Sequence, residues 1–357
     1  MKDNFRFDND YDEGLDISSE DSFSKITSYS ISYNVATLLD LIEHQELELE
    51  PEFQRNFVWN KQMASLFIDS LLIGFPTPNL FFGRNSQRED FIVIDGLQRL
   101  KTIYFFITGN FSSGDISSQF RLEGLEGRSW NGCSFNELPL NLQRRLRNTI
   151  QNATVIDDID FNPEIVHELF FRINTGGIPL TNQEVRNCVY IGPFNRTLHE
   201  INLNDDWRKI LGTKKPHARL ADIELILRIL SLIENNENYR PPMHKFLSYF
   251  QSEHREHDMH HLLILFAEIC HVIVSNFQSN AFRKKSIVKR SLLETVFTAL
   301  GILIKENYPI KDLEKNIEKI DNIFSNQAIF GSANSSSAVV REKIQIALNV
   351  FRGENEF

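Results

Sequence analysis

The chain has 357 residues, of which 41% are hydrophobic and 24% are charged, and its formal net charge at pH 7 is -10. This length and apolar content are sufficient for a full hydrophobic core and for two structural units. The negative net charge argues against a chain-wide electrostatic affinity for nucleic acid, so any such site must be a local basic patch.

Cysteine usage and the apolar segments bear on the compartment of the protein. The three cysteines are widely separated and form no Cys-x-x-Cys pair, which supports neither a zinc ribbon nor a disulfide framework. A reducing cytoplasm fits this usage. The N-terminus is acidic, unlike a secretory signal, and the longest apolar stretch, residues 262–274, is interrupted by Glu268 and His271. We therefore predict no membrane segment.

The first half of the chain mixes helix and strand patterns. Residues 1–28 are rich in Asp, Glu, Ser and Asn and predict a flexible acidic tail, and residues 112–139 predict a surface excursion with short strands and no readable role. Apolar spacing predicts helices at 35–44, 61–72, 97–108 and 140–148, and strands at 47–50, 79–84, 91–94 and 153–156.

Helical spacing dominates the chain after Pro163. Helices are predicted at 164–174, 182–191, 221–234, 259–277, 291–305, 313–324 and 338–351. We find no internal repeat. The expected organisation is an acidic tail (1–28), an α+β domain (29–162) and an all-α domain (163–357).

The most informative segment is an apolar strand, residues 91–94, that runs into a glycine turn and then a helix start. Gly96 allows an anion to approach the backbone, the helix start offers unpaired N–H groups, and Arg99 can hold a phosphate with two hydrogen bonds. Asp95, at the strand exit, is placed to organise a metal ion or a water. Ordinary turn chemistry is the competing interpretation.

Three other blocks accompany this segment, at residues 51–59, 74–78 and 170–181. In this order, the four blocks resemble the N-terminal domain of GmrSD-type restriction endonucleases, a family related to the ParB and sulfiredoxin nucleotide-binding fold. The resemblance covers about residues 32–228, and Leu97 stands where many members have a second Gln. It implies a ParB/sulfiredoxin-like domain that binds and hydrolyses a nucleotide, coupled to recognition or cutting of modified foreign DNA.

The resemblance also assigns further nucleotide contacts. Gln54 and Arg55 would lie beside the glycine turn, with Arg55 as a second cation for a polyphosphate. Arg172 and Asn174 would face the same pocket from a later loop, and Thr102 completes the candidate nucleotide-binding set. The alternatives are a structural arginine at position 55 and a helix-cap role for Asn174.

Two clusters suggest metals less strongly. Asp157, Asp158 and Asp160 could hold Mg²⁺, although a solvated acid cluster at a strand end is the simpler interpretation. Four histidines between residues 254 and 261 lack the spacing of an HNH motif, so a polar helix start is the simpler interpretation there.

Several basic clusters could contact DNA. The leading candidate is a cluster near residue 287, although a charge run is usually a solvated helix end. Its members are Arg283, Lys284, Lys285, Lys289 and Arg290. Arginines at 144–147 and lysines at 214–215 form smaller clusters.

We predict a nucleoside-triphosphate-binding and hydrolysing component of a restriction or phage-defence system. Arg55, Arg99 and the Gly96 helix start would bind the nucleotide with Mg²⁺, Asp95 would be the metal ligand, and Asp95 or Gln98 would orient the attacking water. Hydrolysis would change how tightly the helical domain binds DNA or a separate nuclease subunit. A homo-oligomer is a further possibility left open by the sequence.

Two alternatives belong to other classes. One is a non-hydrolysing regulatory or DNA-binding subunit, and this alternative is favoured because the sequence shows no recognisable HNH-like nuclease segment. The other is a self-sufficient metal-dependent nuclease that uses Asp95 with the Asp157 cluster.

Overall fold

A computed structural model describes eleven stretches of the chain: residues 6–7, 27–49, 57, 59–84, 90–113, 116–157, 181–190, 192–276, 282–284, 287–326 and 336–354. The chain divides into two compact units, one formed by residues 17–180 and one by residues 1–16 with 181–357. The sequence-predicted domain boundary at residues 162 and 163 and most of the acidic tail lie outside the described residues.

Strand β1 (Arg6–Phe7) belongs to the second unit. The first unit contains, in chain order, β2 (Ser28–Asn34), α1 (Val35–Glu43), β3 (Leu47–Glu48), α2 (Lys61–Ile73), β4 (Leu80–Arg84), β5 (Phe91–Asp95), α3 (Leu97–Thr108), β6 (Asn110–Ser113), β7 (Ile116–Gln119), α4 (Leu140–Asn148) and β8 (Ile150–Ile156). Asn34 and Asn60 cap α1 and α2 through their side chains, and Gly74 ends α2 in the left-handed conformation.

A mixed five-stranded sheet organises the first unit, in the order β2-β8-β4-β5-β3. The β2/β8 and β4/β5 pairs are antiparallel, whereas β4/β8 and β3/β5 are parallel. Asp95 pairs with Phe81, and the register shifts between Phe81 and Phe82. The mixed sheet confirms the α+β character predicted for this part, and a ParB-like topology stays a prediction.

The segment 112–139 contributes to the core of the first unit. Phe120 is fully buried and packs edge-on against Phe106 and Phe111, at ring-centroid distances of 5.2 Å and 5.1 Å. Leu122 and Phe135 join the same cluster. The predicted surface excursion was therefore wrong for the apolar residues of this segment, because its polar composition conceals short runs that fill the space beside α3.

The second unit is mainly helical. Its helices are α5 (Asn182–Val189), α6 (Pro193–Asn202), α7 (Asp205–Leu211), α8 (Ala221–Asn235), α9 (Met243–His254), α10 (His260–Asn276), α11 (Arg290–Lys305), α12 (Leu313–Asn326) and α13 (Ser337–Arg352). Strands β9 (Arg283–Lys284) and β10 (Ile287–Val288) form a small sheet with β1 in the order β1-β10-β9. This sheet corrects the all-α prediction. Within the described ranges, no helix is long and apolar enough to cross a membrane.

A network of ion pairs is built into the second unit. Glu224, in the first turn of α8, accepts from Arg186 at 2.9 Å and from Arg290 at 2.5 Å. Arg228 binds Glu294 at 2.5 Å and lies 3.9 Å from Glu224. Burial alone would raise the pKa of Glu224, but the surrounding arginines lower it to about 2. The network therefore joins α5, α8 and α11 through charged side chains.

Candidate functional site

The junction between β5 and α3 is formed by Asp95, Gly96 and Leu97. Gly96 adopts a left-handed backbone with a φ of 103°, and no side chain caps the start of α3. The first N–H groups of a helix have no partners inside the helix, and the dipole places partial positive charge there. The start of α3 can therefore accept an anion through its backbone.

Gly96 also has no room for a side chain. A Cβ atom at this position would lie 2.3 Å from Leu80 Cδ2 and 3.3 Å from Arg99 Nη2. Because Leu80 is itself buried in the sheet core, it cannot move aside cheaply. The turn is thus specified by backbone conformation and by packing together.

Substituting Gly96 with alanine is expected to destabilise the first unit by about 2 kcal/mol, from the left-handed backbone and the overlap with Leu80. Chemical denaturation of the purified protein measures this loss. Gly109→Ala is the matched control, because Gly109 also has a positive φ of 83° but open space around its missing Cβ. Equal losses in the two variants would contradict the packing argument.

Arg99 is held in place by the residues around it. Its guanidinium donates to the carbonyl oxygens of Pro78 and Asn79, the latter at 3.1 Å, and to Asp95 Oδ2 at 2.6 Å. Burial lowers the pKa of Arg99, and Asp95 partly offsets this, but an arginine stays charged in either case. Arg99 therefore fixes both the loop before β4 and the carboxylate at the end of β5.

Asp95 is the more accessible member of this pair. Its side chain is 31% exposed, compared with 11% for Arg99. One carboxylate oxygen receives the Arg99 bond, and the other accepts no hydrogen bond from the described residues. The carboxylate is thus held in one orientation with an oxygen still available to a ligand.

Gln98 and Thr102 lie on the first turns of α3. Gln98 is half-buried, and its Oε1 accepts from the Trp59 N–H at 3.4 Å. Thr102 is fully buried and donates its hydroxyl to the Gln98 carbonyl at 2.7 Å. This bond within the helix gives Thr102 a structural explanation, whereas Gln98 stays at the edge of the junction.

Four sequence-predicted nucleotide contacts lie outside the described residues: Gln54, Arg55, Arg172 and Asn174. Asp158 and Asp160 do too, while Asp157 lies 3.9 Å from Arg84. Across the described stretches, no three His, Cys, Asp or Glu side chains are grouped as metal ligands would be. His254 ends α9 and His260 begins α10, so the histidine run spans two helices and the loop between them.

The predicted DNA cluster at 283–290 is divided among several environments. Lys289 binds Asp321 at 2.6 Å, and Arg290 belongs to the Glu224 network. The guanidinium of Arg283 lies against Gly212, where a Cβ would be 1.7 Å from its Nη1. The Lys284 side chain and the whole of Lys285 lie outside the described residues. Two of the five candidates are therefore already paired with carboxylates of their own unit.

Sequence reasoning missed how the loop at 74–79 is held. Arg99 binds its far end, and Arg145 of α4 donates to the Ile73 carbonyl at 3.0 Å just before its start. Thr77 donates to Gln151 Oε1 at 3.0 Å. The Gly-Phe-Pro-Thr-Pro pattern signals the loop itself, but its partners are distant in sequence and leave no local signal.

Comparison with protein families matches residues 35–191 to the GmrSD restriction endonuclease, N-terminal domain. This stretch belongs to the GmrSD N-terminal domain family. The family match contains all four sequence blocks and the whole β5–α3 junction, and it confirms the resemblance recognised in the sequence. The match connects the chain to restriction and phage-defence systems. An interaction with DNA is consistent with such a system. Comparisons with curated proteins and with solved structures give no match.

Proposed function

We propose that the GmrSD-type domain binds a nucleoside triphosphate with Mg²⁺ at the β5–α3 junction and hydrolyses it, as a component of a DNA restriction or phage-defence system. The observation that supports this most is a partly exposed carboxylate, Asp95, held by a buried arginine directly beside an uncapped helix start. Phosphate groups suit the helix start, and a hard cation suits the available carboxylate oxygen.

Each residue of the junction has a role in this proposal. Gly96 and the first N–H groups of α3 would receive phosphate oxygens, and Asp95 would hold the metal ion. Bound Mg²⁺ would offset the negative charge of the phosphates. Gln98, at the edge of the junction, orients the attacking water. Arg99 acts through Asp95, because its donors are already directed to that carboxylate and to two carbonyl groups.

Further nucleotide contacts are proposed to come from the residues that the family resemblance assigns: Gln54, Arg55, Arg172 and Asn174. The proposed partners of the chain are DNA, whether modified or not, and a separate nuclease subunit that responds to the nucleotide state. Such an activity belongs in the cytoplasm, where foreign DNA is encountered.

Asp95→Asn is expected to lower the rate of phosphate release by about 100-fold or more, because the variant keeps the shape and the Arg99 contact but removes the charge. The measurement is phosphate release from each common ribonucleoside triphosphate with Mg²⁺, with and without DNA. Asp40→Asn is the matched control, since Asp40 is a 72% exposed carboxylate on α1.

The outcomes separate the classes of function. Turnover that survives in Asp95→Asn would remove Asp95 from the mechanism. Nucleotide binding without turnover in the wild type would contradict hydrolysis and leave a regulatory subunit. Plasmid nicking by the purified chain, lost in Asp95→Asn, would instead indicate the metal-dependent nuclease.

A further inference from the structure

Helix α4 presents an unusually basic surface in the first unit. It contains Arg144, Arg145 and Arg147 and no acidic residue, and all three arginines are exposed. Only Leu146 of this helix is fully buried. The helix thus directs three guanidinium groups away from the core within a single turn.

Within the part of the chain that the structure describes, no carboxylate oxygen lies within 4.0 Å of a guanidinium nitrogen of these three arginines. The elements packed against α4 are α1 and α2. The acidic residues there are Asp40 and Glu43 on α1 and Asp69 on α2, and Asp69 is buried and binds Arg128 and Trp130. The local charge therefore departs strongly from the chain's net -10.

Two of the arginines are held at a fixed position without losing their charge. Arg145 donates one hydrogen bond to the Ile73 carbonyl, and Arg147 lies 5.6 Å from the ring centroid of Phe135. Neither contact brings a negative charge. Both guanidinium groups therefore keep most of their donors for another molecule, at a smaller entropic cost than free side chains would require.

An exposed aromatic ring lies on the loop next to these arginines. Phe75 is 63% exposed and follows Ile73 and Gly74, which contact the Arg145 guanidinium. The loop is anchored by Arg145 at its start and by Arg99 near its end. The ring is thus displayed on a fixed backbone instead of being buried. We call Arg144, Arg145, Arg147 and Phe75 the α4 face.

We propose that the α4 face is a DNA-binding surface of this chain. Three exposed guanidinium groups suit the phosphates of the DNA backbone, and Phe75 suits a base or sugar beside them. The proposal places DNA contact on the GmrSD-type domain itself. It rests on the proposed function for the identity of the partner, and it replaces the 283–290 cluster, in which Lys289 and Arg290 already bind carboxylates.

The test is fluorescence anisotropy of the full chain with a labelled DNA duplex and a labelled single strand, without nucleotide, over a range of salt concentrations. The double variant Arg144→Gln with Arg147→Gln is expected to bind at least ~10-fold more weakly. Its slope of log affinity against log salt should fall by about 1.8, the value for two lost phosphate contacts. Arg145 is left unchanged because it holds the loop.

The matched control is Lys311→Gln with Lys315→Gln, which removes the same charge from exposed positions of the second unit. The control should retain wild-type affinity. Equal affinities of the α4 variant and this control for DNA would overturn the proposal. It would also be overturned if the α4 variant lost binding to anionic lipid vesicles but kept its affinity for DNA. Phe75→Ala distinguishes the DNA forms, because a larger loss on the single strand indicates base stacking. No loss on either form would remove Phe75 from the surface.

A measurement of nucleotide turnover distinguishes a failure of the DNA-surface proposal from a failure of the proposed function. The α4 variant should release phosphate at the wild-type rate when DNA is absent, since none of its substitutions touches the β5–α3 junction. Absence of turnover in every variant, with DNA binding lost only in the α4 variant, would contradict the nucleotide proposal and support the DNA surface.

Discussion

Replacing Arg99 with alanine is expected to lower the free energy of unfolding of the first unit by about 3 kcal/mol. The substitution leaves the Asp95 carboxylate and the carbonyl groups of Pro78 and Asn79 without their donor in a largely buried place. Losing one partner of such a cluster costs more than the cluster contributes, because the remaining polar groups stay desolvated. Denaturant unfolding followed by circular dichroism measures the change.

Two further variants separate charge from geometry. Arg99→Lys keeps the charge and can reach Asp95, but it lacks the forked donors that hold two carbonyl groups together, so we expect an intermediate loss. Arg84→Ala is the control for a weak pair at the end of β4, since Arg84 is 39% exposed and 3.9 Å from Asp157, and its loss should stay below about 1 kcal/mol. Equal losses in Arg99→Ala and Arg84→Ala would contradict the buried clamp.

The same lysine variant tests how Arg99 serves the site. If Arg99 acts through Asp95, folded Arg99→Lys should bind nucleotide with nearly wild-type affinity and lose turnover, because the carboxylate is no longer fixed. Loss of binding with the carboxylate position unaltered would instead favour a direct phosphate contact, which is the role that the sequence predicts.

Glycine and proline residues at the ends of helices explain which elements could be predicted from the sequence. Helices 97–108 and 140–148 were placed at their observed bounds, because Gly96 and Gly109 bracket the first and Pro139 precedes the second. The β5–Gly96–α3 junction was recognisable for the same reason. Each of these signals is contained within a few neighbouring residues.

Helix α6 is not among the helices that the sequence predicts. Its apolar residues Phe194, Leu198 and Ile201 have helical spacing, but Asn195, Thr197 and Asn202 are buried beside them, so polar residues interrupt the apolar stripe. Gly192 and Pro193 mark its start and could have indicated it. Polar residues buried by partners from other helices are invisible to a hydrophobic pattern, since the partners are chosen by the tertiary structure.

Arginine roles were the least predictable part of the site. The sequence shows that Arg99, Arg145 and Arg290 are basic, but it does not show that they bind carbonyl groups or a distant carboxylate. Arg145 and Ile73 are 72 residues apart, and Arg290 and Glu224 are 66 apart. A basic residue that looks available for DNA in a sequence can therefore be fully engaged in the fold, as Arg290 is.

Acidification is expected to weaken the second unit through Glu224. The arginines around this carboxylate lower its pKa from the ordinary value of 4.5 to about 2, so the unfolded chain takes up its proton first as the pH falls. The contribution of Glu224 is therefore fully present above pH 4.5 and is lost as the pH falls towards 2. By this linkage it is on the order of 3 kcal/mol.

Glu224→Gln should remove this acid-dependent part directly. At neutral pH the variant removes the negative charge that Arg186, Arg228 and Arg290 surround, and we expect it to be less stable than the wild type by about 3 kcal/mol. Glu234→Gln, on the same helix but paired with a half-exposed lysine, should cost less than about 1 kcal/mol. The decisive comparison is made at neutral pH and below pH 4.5. The loss of stability of Glu224→Gln relative to the wild type must shrink as the pH falls below 4.5. A deficit that is constant with pH would mean that packing, and not the charge of Glu224, stabilises the network.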